Sequence, residues 1–257
     1  PVKQIWKDFS SGKGGNVVAF LMEHEHFTYP EAIRFLANKY NIEIEETEQS
    51  HEEKEKANAR ESLYLVNQFA QESFTQDLWE FPEGKAIGLS YFRERGFTDE
   101  IIRLFSLGYA AQQRDRFYEK ATKAGYAENY IVETGLIIKN ERGAVDRFRG
   151  RVIFPIRSMA GRVQGFGGRI LSANLKTAKY INSPESEVYY KSKVLYGMFE
   201  AKKAIAKEDI CYLVEGYTDV IQMFQQGIEN VVSSSGTALT PEQIRLVRRL
   251  TPNIVVL

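Results

Sequence analysis

The chain has 257 residues with 34 Lys/Arg against 34 Asp/Glu, so its formal net charge is zero and partner choice cannot be read from the total. A hydrophobic content of 43% fits one large or two modest globular domains and excludes a disordered or fibrous chain. A single cysteine, Cys211 in an apolar run, excludes a disulfide framework; with no apolar stretch of membrane-spanning length and no signal peptide, the expectation is a cytoplasmic protein without a membrane partner.

Residues 2–10 alternate loosely, with Val2, Ile5, Trp6 and Phe9, and predict a short strand or hairpin arm; residues 12–16 read as a turn. Helices are expected over 16–26 and 30–40, the second with Pro30 in its first turn. Residues 43–58 are acidic and lack an apolar stripe, which predicts a solvated linker. From 58 to 79, Leu63, Val66, Phe69, Ala70, Phe74 and Leu78 recur at helical spacing. Shorter helices are expected at 87–92 and 101–105, with Thr98 as N-cap of the latter. The character then changes. Residues 152–156 and 162–166 read as strands around a turn at 158–161. After a helix beyond Leu195, strand 211–214, helix 218–226, strand 229–234, helix 241–250 and strand 253–257 alternate, and Thr240 to Gln243 spell a capping box with proline at the first helical position. Such alternation predicts a βαβαβ parallel sheet, so the fold class is α/β with an α+β first part.

Charge is distributed unevenly. Residues 41–62 hold eight acidic and three basic residues, whereas 142–207 hold fourteen basic and four acidic ones. Between 147 and 179 there are eight Lys/Arg and no Asp or Glu. A cationic stretch of this kind suits a polyanion, although charged residues flanking strands also serve simply as solvated faces. Downstream, Glu215 ends a strand and Asp219 follows one helical turn later. Spacing leaves two readings open. The pair holds a hard cation such as magnesium, which takes one or two carboxylates per ion, or Asp219 merely complements a helix N-terminus.

The order of the segments resembles the bacterial replicative DNA primases. Carrying the resemblance are Phe154-Pro155-Ile156, the run Gly161 to Arg169 (GRVQGFGGR), the run Lys179 to Glu185 (KYINSPE), the run Tyr190 to Gly197 (YKSKVLYG) and, upstream, Tyr91-Phe92-Arg93-Glu94-Arg95-Gly96. The run Leu213 to Val220 (LVEGYTDV) is similar to the first motif of the topoisomerase–primase (Toprim) domain. This resemblance implies a DNA-templated RNA polymerase that makes short primers from ribonucleoside triphosphates on single-stranded DNA, with a replicative helicase as partner of the intact protein. It implies that Glu215 and Asp219 are catalytic and hold Mg2+ (or Mn2+), and that Arg95, Arg169, Lys179, Tyr180, Asn182 and Lys191 contact template and nucleotide. It implies a division into a zinc-module remnant (1–46), an acidic linker (47–59), the N-terminal part of the polymerase core (60–207) and a Toprim part (208–257). Competing readings are another Toprim enzyme, such as a nuclease or topoisomerase, and a non-catalytic single-stranded DNA-binding remnant.

Departures from the family pattern matter. Asp8 and Ser11 stand where the family carries zinc-binding cysteines, and Ser is not a practical ligand for a tetrahedral zinc site, so no bound zinc is expected. The first residue is not Met, the last lies in an apolar run, and the family's Asp-x-Asp pair does not follow the final strand, so the chain reads as a fragment without turnover of its own. Two measurements check this pair of expectations on the purified chain: an equivalent of zinc surviving chelation and dialysis, or detectable primer synthesis, would count against them.

Overall fold

The computed structural model describes residues 5–10, 13–43, 51–141, 143–171, 178–236 and 238–257, with the side chains of 51–54 left out of the description. The chain divides into two units, Pro1–Lys54 and Glu55–Leu257.

In the first unit, β1 (Trp6–Lys7) pairs antiparallel with β2 (Gly14–Gly15). The hairpin is closed where Asp8 N donates to Lys13 O at 2.8 Å, so Gly14 and Gly15, expected in a turn, are drawn into the ladder. Helices α1 (Val17–His24) and α2 (Tyr29–Tyr40) follow. Asn16 caps α1 by accepting from Ala19 N, and Thr28 with Glu31 forms a capping box for α2. Trp6 packs edge-on against Phe20 of α1, whereas Phe9 is 91% exposed.

Helix α3 (His51–Glu80) begins well before the apolar stripe, so residues 51–59 are helical rather than the expected linker. They are rich in Glu, Lys and Ala, strong helix formers that extend a helix whose downstream face is anchored in a core. Next comes a π-helical turn (Gly84–Leu89) running into α4 (Ser90–Glu94), then α5 (Asp99–Leu104) with Thr98 capping it through Ile101 N. The chain continues through β3 (Gly108–Ala110), α6 (Arg116–Lys123), α7 (Glu128–Glu133) and the hairpin β4 (Ile137–Asn140) and β5 (Gly143–Asp146), none of which shows a clear sequence period. Strands β6 (Arg151–Arg157), β7 (Val163–Ile170) and β8 (Tyr180–Asn182) complete an antiparallel sheet of order β3-β6-β7-β8. Pro155, in the middle of β6, is tolerated because β3 pairs only with Arg151 to Ile153, which leaves Pro155 with β7 alone as neighbour.

A 3-10 turn (Lys191–Lys193) and α8 (Met198–Glu208) lead to β9 (Cys211–Val214), α9 (Tyr217–Gln225), β10 (Val231–Ser233), α10 (Pro241–Arg248) and β11 (Ile254–Val256). The order β10-β9-β11, all parallel, is the expected βαβαβ arrangement. Strand β6 is buried on both faces. Val152, Phe154 and Ile156 join one core with Val214, Tyr217, Val220 and Val231 of the parallel half. Ile153 joins another with Phe74, Phe117, Phe148 and Phe166. Beyond the parallel sheet, Cys211, Leu213 and Val232 pack with Met198, Ile205 and Val247. Among the described residues, no helix is long and apolar enough to cross a membrane.

Asp146 ends β5 and caps the neighbouring α6, accepting from Phe117 N at 2.7 Å and Tyr118 N at 3.1 Å. Burial pushes its carboxyl up to about 6, against the two amide hydrogen bonds that favour the anion. A folded-state pKa above the ordinary value near 3.8 means that the fold gains stability from protonation, fully below pH 4, and loses it as pH rises through 6. Relative to Asp146→Asn, wild type is therefore expected to lose on the order of 3 kcal/mol between pH 4 and pH 7. Urea unfolding of both proteins at each pH checks this, and a pH-independent difference between them contradicts it.

Candidate functional site

The basic excess of residues 142–207 sorts into two sets. Some cations have partners within the chain. Arg157 pairs with Glu200 at 2.6 Å and donates to Ser106 Oγ and Gln71 Oε1, tying β6 to α3 and α8. Arg162 pairs with Glu61 and lies over Tyr64. Lys202, buried, donates to Met159 O. These contacts tie distant segments of the fold together and give each of these cations a partner within the chain.

The second set forms a ladder of cations and rings. Arg169 and Tyr180 are direct partners across β7 and β8, as are Gly167 and Asn182 two residues away, so all four take the same face of the sheet. Arg169 Nη1 donates to the Tyr91 hydroxyl and, at 3.4 Å, to that of Tyr180. Its guanidinium lies 4.9 Å from the Tyr91 ring centre and 5.5 Å from that of Tyr180. Arg95, at the end of α4, lies 5.2 Å from the centre of the same Tyr91 ring. Burial raises the Tyr91 phenol above its ordinary value, opposed by Arg169 and Arg95, so the ring stays a neutral hydrogen-bonding platform at pH 7.

This ladder continues into the parallel half. Tyr217, the first residue of α9, donates to Asn182 Oδ1 at 2.7 Å, stacks on Phe154 at 5.1 Å and lies 6.3 Å from Tyr180. Gly167 makes this possible, since a Cβ there would come within 2.5 Å of the Tyr217 ring. Burial pushes the Tyr217 phenol up to about 12. Its chain neighbour two residues back is Glu215, just past the carboxyl end of β9, where ligands bind in open α/β sheets. Glu215 and Asp219 are both exposed. Asp219 Oδ2 accepts from Gly216 N at 3.0 Å, capping α9, which leaves Oδ1 and the Glu215 carboxylate for other partners. The Glu215 carbonyl accepts from Ser233 Oγ at 2.7 Å, joining the ends of β9 and β10. Two exposed carboxylates are a hard-oxygen donor set that suits magnesium, which completes its shell with water and phosphate. Among the described residues, no group of three or more His, Cys, Asp or Glu is arranged to hold a metal ion.

Not all expected residues meet. Lys179 is exposed at the entry to β8, and Lys191 is half-buried in the 3-10 turn. Among the described residues, no hydrogen bond or ring contact links either lysine to the Arg95–Arg169 ladder. In the first unit, the Asp8 carboxylate accepts from Ser10 N and Oγ, a local turn, while Ser11 lies outside the described residues. His24 stacks on Phe20 and is exposed.

Two glutamines make long-range contacts that the sequence does not indicate. Gln225, last in α9, accepts from Thr98 N and donates to Gly96 O, both at 2.8 Å, gripping the segment that follows Arg95. Gln243 in α10, fully buried, donates to Lys191 O at 3.1 Å and Val194 O at 2.8 Å, and Thr240 Oγ1 donates to Ser192 O at 2.5 Å. Each helix of the parallel half therefore grips a cationic segment of the preceding half. The capping box at 240–243 was the available signal, but only its local role could be read from spacing.

The Gly167 contact yields a direct check. Gly167→Ala is expected to destabilise the chain by roughly 1–3 kcal/mol through overpacking against Tyr217. The double change Gly167→Ala, Tyr217→Ala should recover part of that cost, and strictly additive losses in urea melts would refute the contact.

Residues 74–202 match the family model described as "DNA primase catalytic core, N-terminal domain", residues 1–52 that of the CHC2 zinc finger and residues 209–257 that of the Toprim domain. A DNA primase of Clostridium acetobutylicum is 39% identical over 99% of this chain, and one of Halalkalibacterium halodurans is 38% identical over all of it. The chain spans 41% and 42% of the length of these two relatives. Among solved structures, the RNA polymerase domain of Mycobacterium tuberculosis primase DnaG is similar with a TM-score of 0.73 and 34% identity, over 77% of this chain and 66% of that one. The zinc-binding and RNA polymerase domains of Aquifex aeolicus primase align over all of this chain and 60% of that one, with a TM-score of 0.71 and 34% identity. A DnaG primase catalytic domain bound to single-stranded DNA aligns at a TM-score of 0.72 and 35% identity, over 78% of this chain and 62% of that one.

Proposed function

The chain belongs to the DNA primase family, and on that premise we propose that it contributes the template-binding part of a cytoplasmic enzyme that copies single-stranded DNA into short RNA primers. One observation carries the reading: the Arg95–Tyr91–Arg169–Tyr180 ladder is joined through Asn182 and Tyr217 to the strand end that bears Glu215 and Asp219. Cations, stacking rings and carboxylates therefore lie along one continuous path. Arginine suits phosphate because its planar fork makes paired hydrogen bonds, and Tyr180 offers a face to an unpaired base.

Within this proposal, Arg95, Arg169, Lys179 and Lys191 meet phosphates of the template or of the incoming ribonucleoside triphosphate. Tyr180 and Asn182 orient the strand beside them. Glu215 and the free oxygen of Asp219 hold Mg2+ or Mn2+, which when bound neutralises charge developing on the transferring phosphoryl group. The boundaries near 46, 59 and 207 separate the zinc-module segment, the connecting segment, the polymerase core and the Toprim part. The first segment holds no zinc at Asp8, whose carboxylate is engaged with Ser10. A replicative helicase is the partner of the longer protein.

A second reading, single-stranded DNA binding without chemistry, is favoured by one fact: Asp219 already caps α9 with one oxygen. Fluorescence anisotropy with a labelled oligothymidine separates the two. Four phosphate contacts predict that log affinity falls with log salt at a slope of about −3, and Arg169→Ala should cost about tenfold in affinity. Under the primase reading, magnesium changes binding and Glu215→Gln with Asp219→Asn abolishes that change. Binding indifferent to magnesium moves the second reading ahead, and a flat salt response defeats both.

A further inference from the structure

Arg147, Arg149 and Arg151 stand within five residues of one another from the end of β5 to the first residue of β6, and among the described residues none of them forms an ion pair. Arg151 is the unusual member. It is only 7% exposed, its Nε is buried without a hydrogen-bond partner, and its Nη1 reaches only the Arg149 carbonyl at 3.3 Å. Arg147 Nε is likewise buried and unpartnered. Asp146, next to Arg147 in the chain, gives both its oxygens to the amides of α6, and the charge of Arg149 favours its anion without a hydrogen bond between them. Burial, with the like charge of Arg149, lowers the Arg151 guanidinium below its ordinary range, as expected of a cation without a counter-charge.

A buried arginine normally comes with an acid, because removing one partner of such a pair leaves an uncompensated charge at a cost of several kcal/mol. Here the sequence makes room for the unpaired group. Gly168 has no side chain where a Cβ would meet Phe148 at 2.6 Å and the Arg151 stem at 3.1 Å, so the stem crosses the sheet over that glycine. The position is also telling. Arg151 pairs with Ile170 across β6 and β7, and Ile170 N donates to Lys179 O on the other side, so Arg151 and Lys179 flank the same residue of β7. Gly168, Arg151 and Phe148 lie on the sheet face opposite Arg169, Tyr180 and Tyr217.

We propose that Arg151, with Arg149 and Arg147, forms a second phosphate subsite around the end of β7, on the opposite sheet face from the Arg169 ladder. It rests on the nucleic-acid reading above and extends it: the missing counter-charge of Arg151 is a phosphate, from the strand backbone or from a nucleotide's phosphate tail. The strand would then pass over the end of the sheet, with Arg169 on one side and Arg151 on the other.

The test separates a binding cation from a structural one, because the two predict opposite stability changes. Arg151→Met keeps the stem and removes the unpaired charge. It is expected to raise Tm while weakening oligothymidine binding about five- to tenfold and reducing the salt slope by about 0.7, one single-strand phosphate contact. Arg151→Lys should keep affinity within about twofold of wild type, since it restores the charge. Inorganic tripolyphosphate as competitor identifies the source: a loss shared by tripolyphosphate assigns the subsite to the nucleotide tail, and a loss confined to the oligonucleotide assigns it to the strand. Arg149→Met, exposed and harmless to the core, gives the same slope change should Arg151→Met not fold. Unchanged affinity in both methionine variants, or a loss that lysine does not restore, overturns the subsite. If Arg169→Ala weakens binding in the same assay while the two methionine variants do not, the subsite fails and the function stands. A wild-type chain with no salt-dependent binding overturns both.

Discussion

The packing of one phenol ring onto a bare stretch of backbone is the constraint on which the rest of the larger unit depends. Tyr217 opens α9 in the parallel half, yet its ring rests on Gly167 and Phe154 of the antiparallel sheet, and its hydroxyl reaches Asn182 of β8. The ring is also 4.7 Å from Tyr196, whose own phenol is fully buried. A side chain larger than hydrogen at 167 would lift the ring off the sheet. The carboxylates at 215 and 219 are placed by the same turn that delivers this ring, so their position relative to the cations follows from the packing of Tyr217.

The two paired glycines of the Gly-Phe-Gly-Gly-Arg run thus act on opposite faces. Gly167 admits Tyr217 on one, and Gly168 admits Phe148 and the Arg151 stem on the other. Strand alternation then sends Arg169 to the Tyr217 side. The glutamine grips complement this arrangement. Gln225 and Gln243 bind backbone atoms rather than side chains, so they fix where a cationic segment runs while leaving its arginine or lysine head free to meet an anion.

Legibility in sequence tracked the range of the interaction. Strand–helix alternation after Leu195 predicted the parallel sheet, and the capping residues Thr98 and Thr240 were found where spacing placed them, because caps and hydrophobic periods are local. Segment 108–146 was not read as elements: β3 pairs with β6 more than forty residues later, and α6 is capped by Asp146 from another strand. Residues 51–59 lack an apolar stripe, which points to a linker, yet their composition sustains the helix that the stripe at 63–78 anchors.

For the site, the resemblance of the surrounding runs to those of primases brought Arg95, Arg169, Lys179, Tyr180, Asn182, Lys191, Glu215 and Asp219 forward, whereas spacing and charge by themselves left solvated-face and helix-capping readings open. Tertiary structure decided what those groups touch. It joined Arg95 to Arg169 through Tyr91, committed Arg157 and Arg162 to Glu200 and Glu61, and left Arg151 buried without a counter-charge. Whether a cation is paired depends on acids far away in the chain, such as Glu200 for Arg157, 43 residues on, and Glu61 for Arg162, 101 residues back. A sequence carries the charges, but only folding sets the distances over which they cancel or remain free.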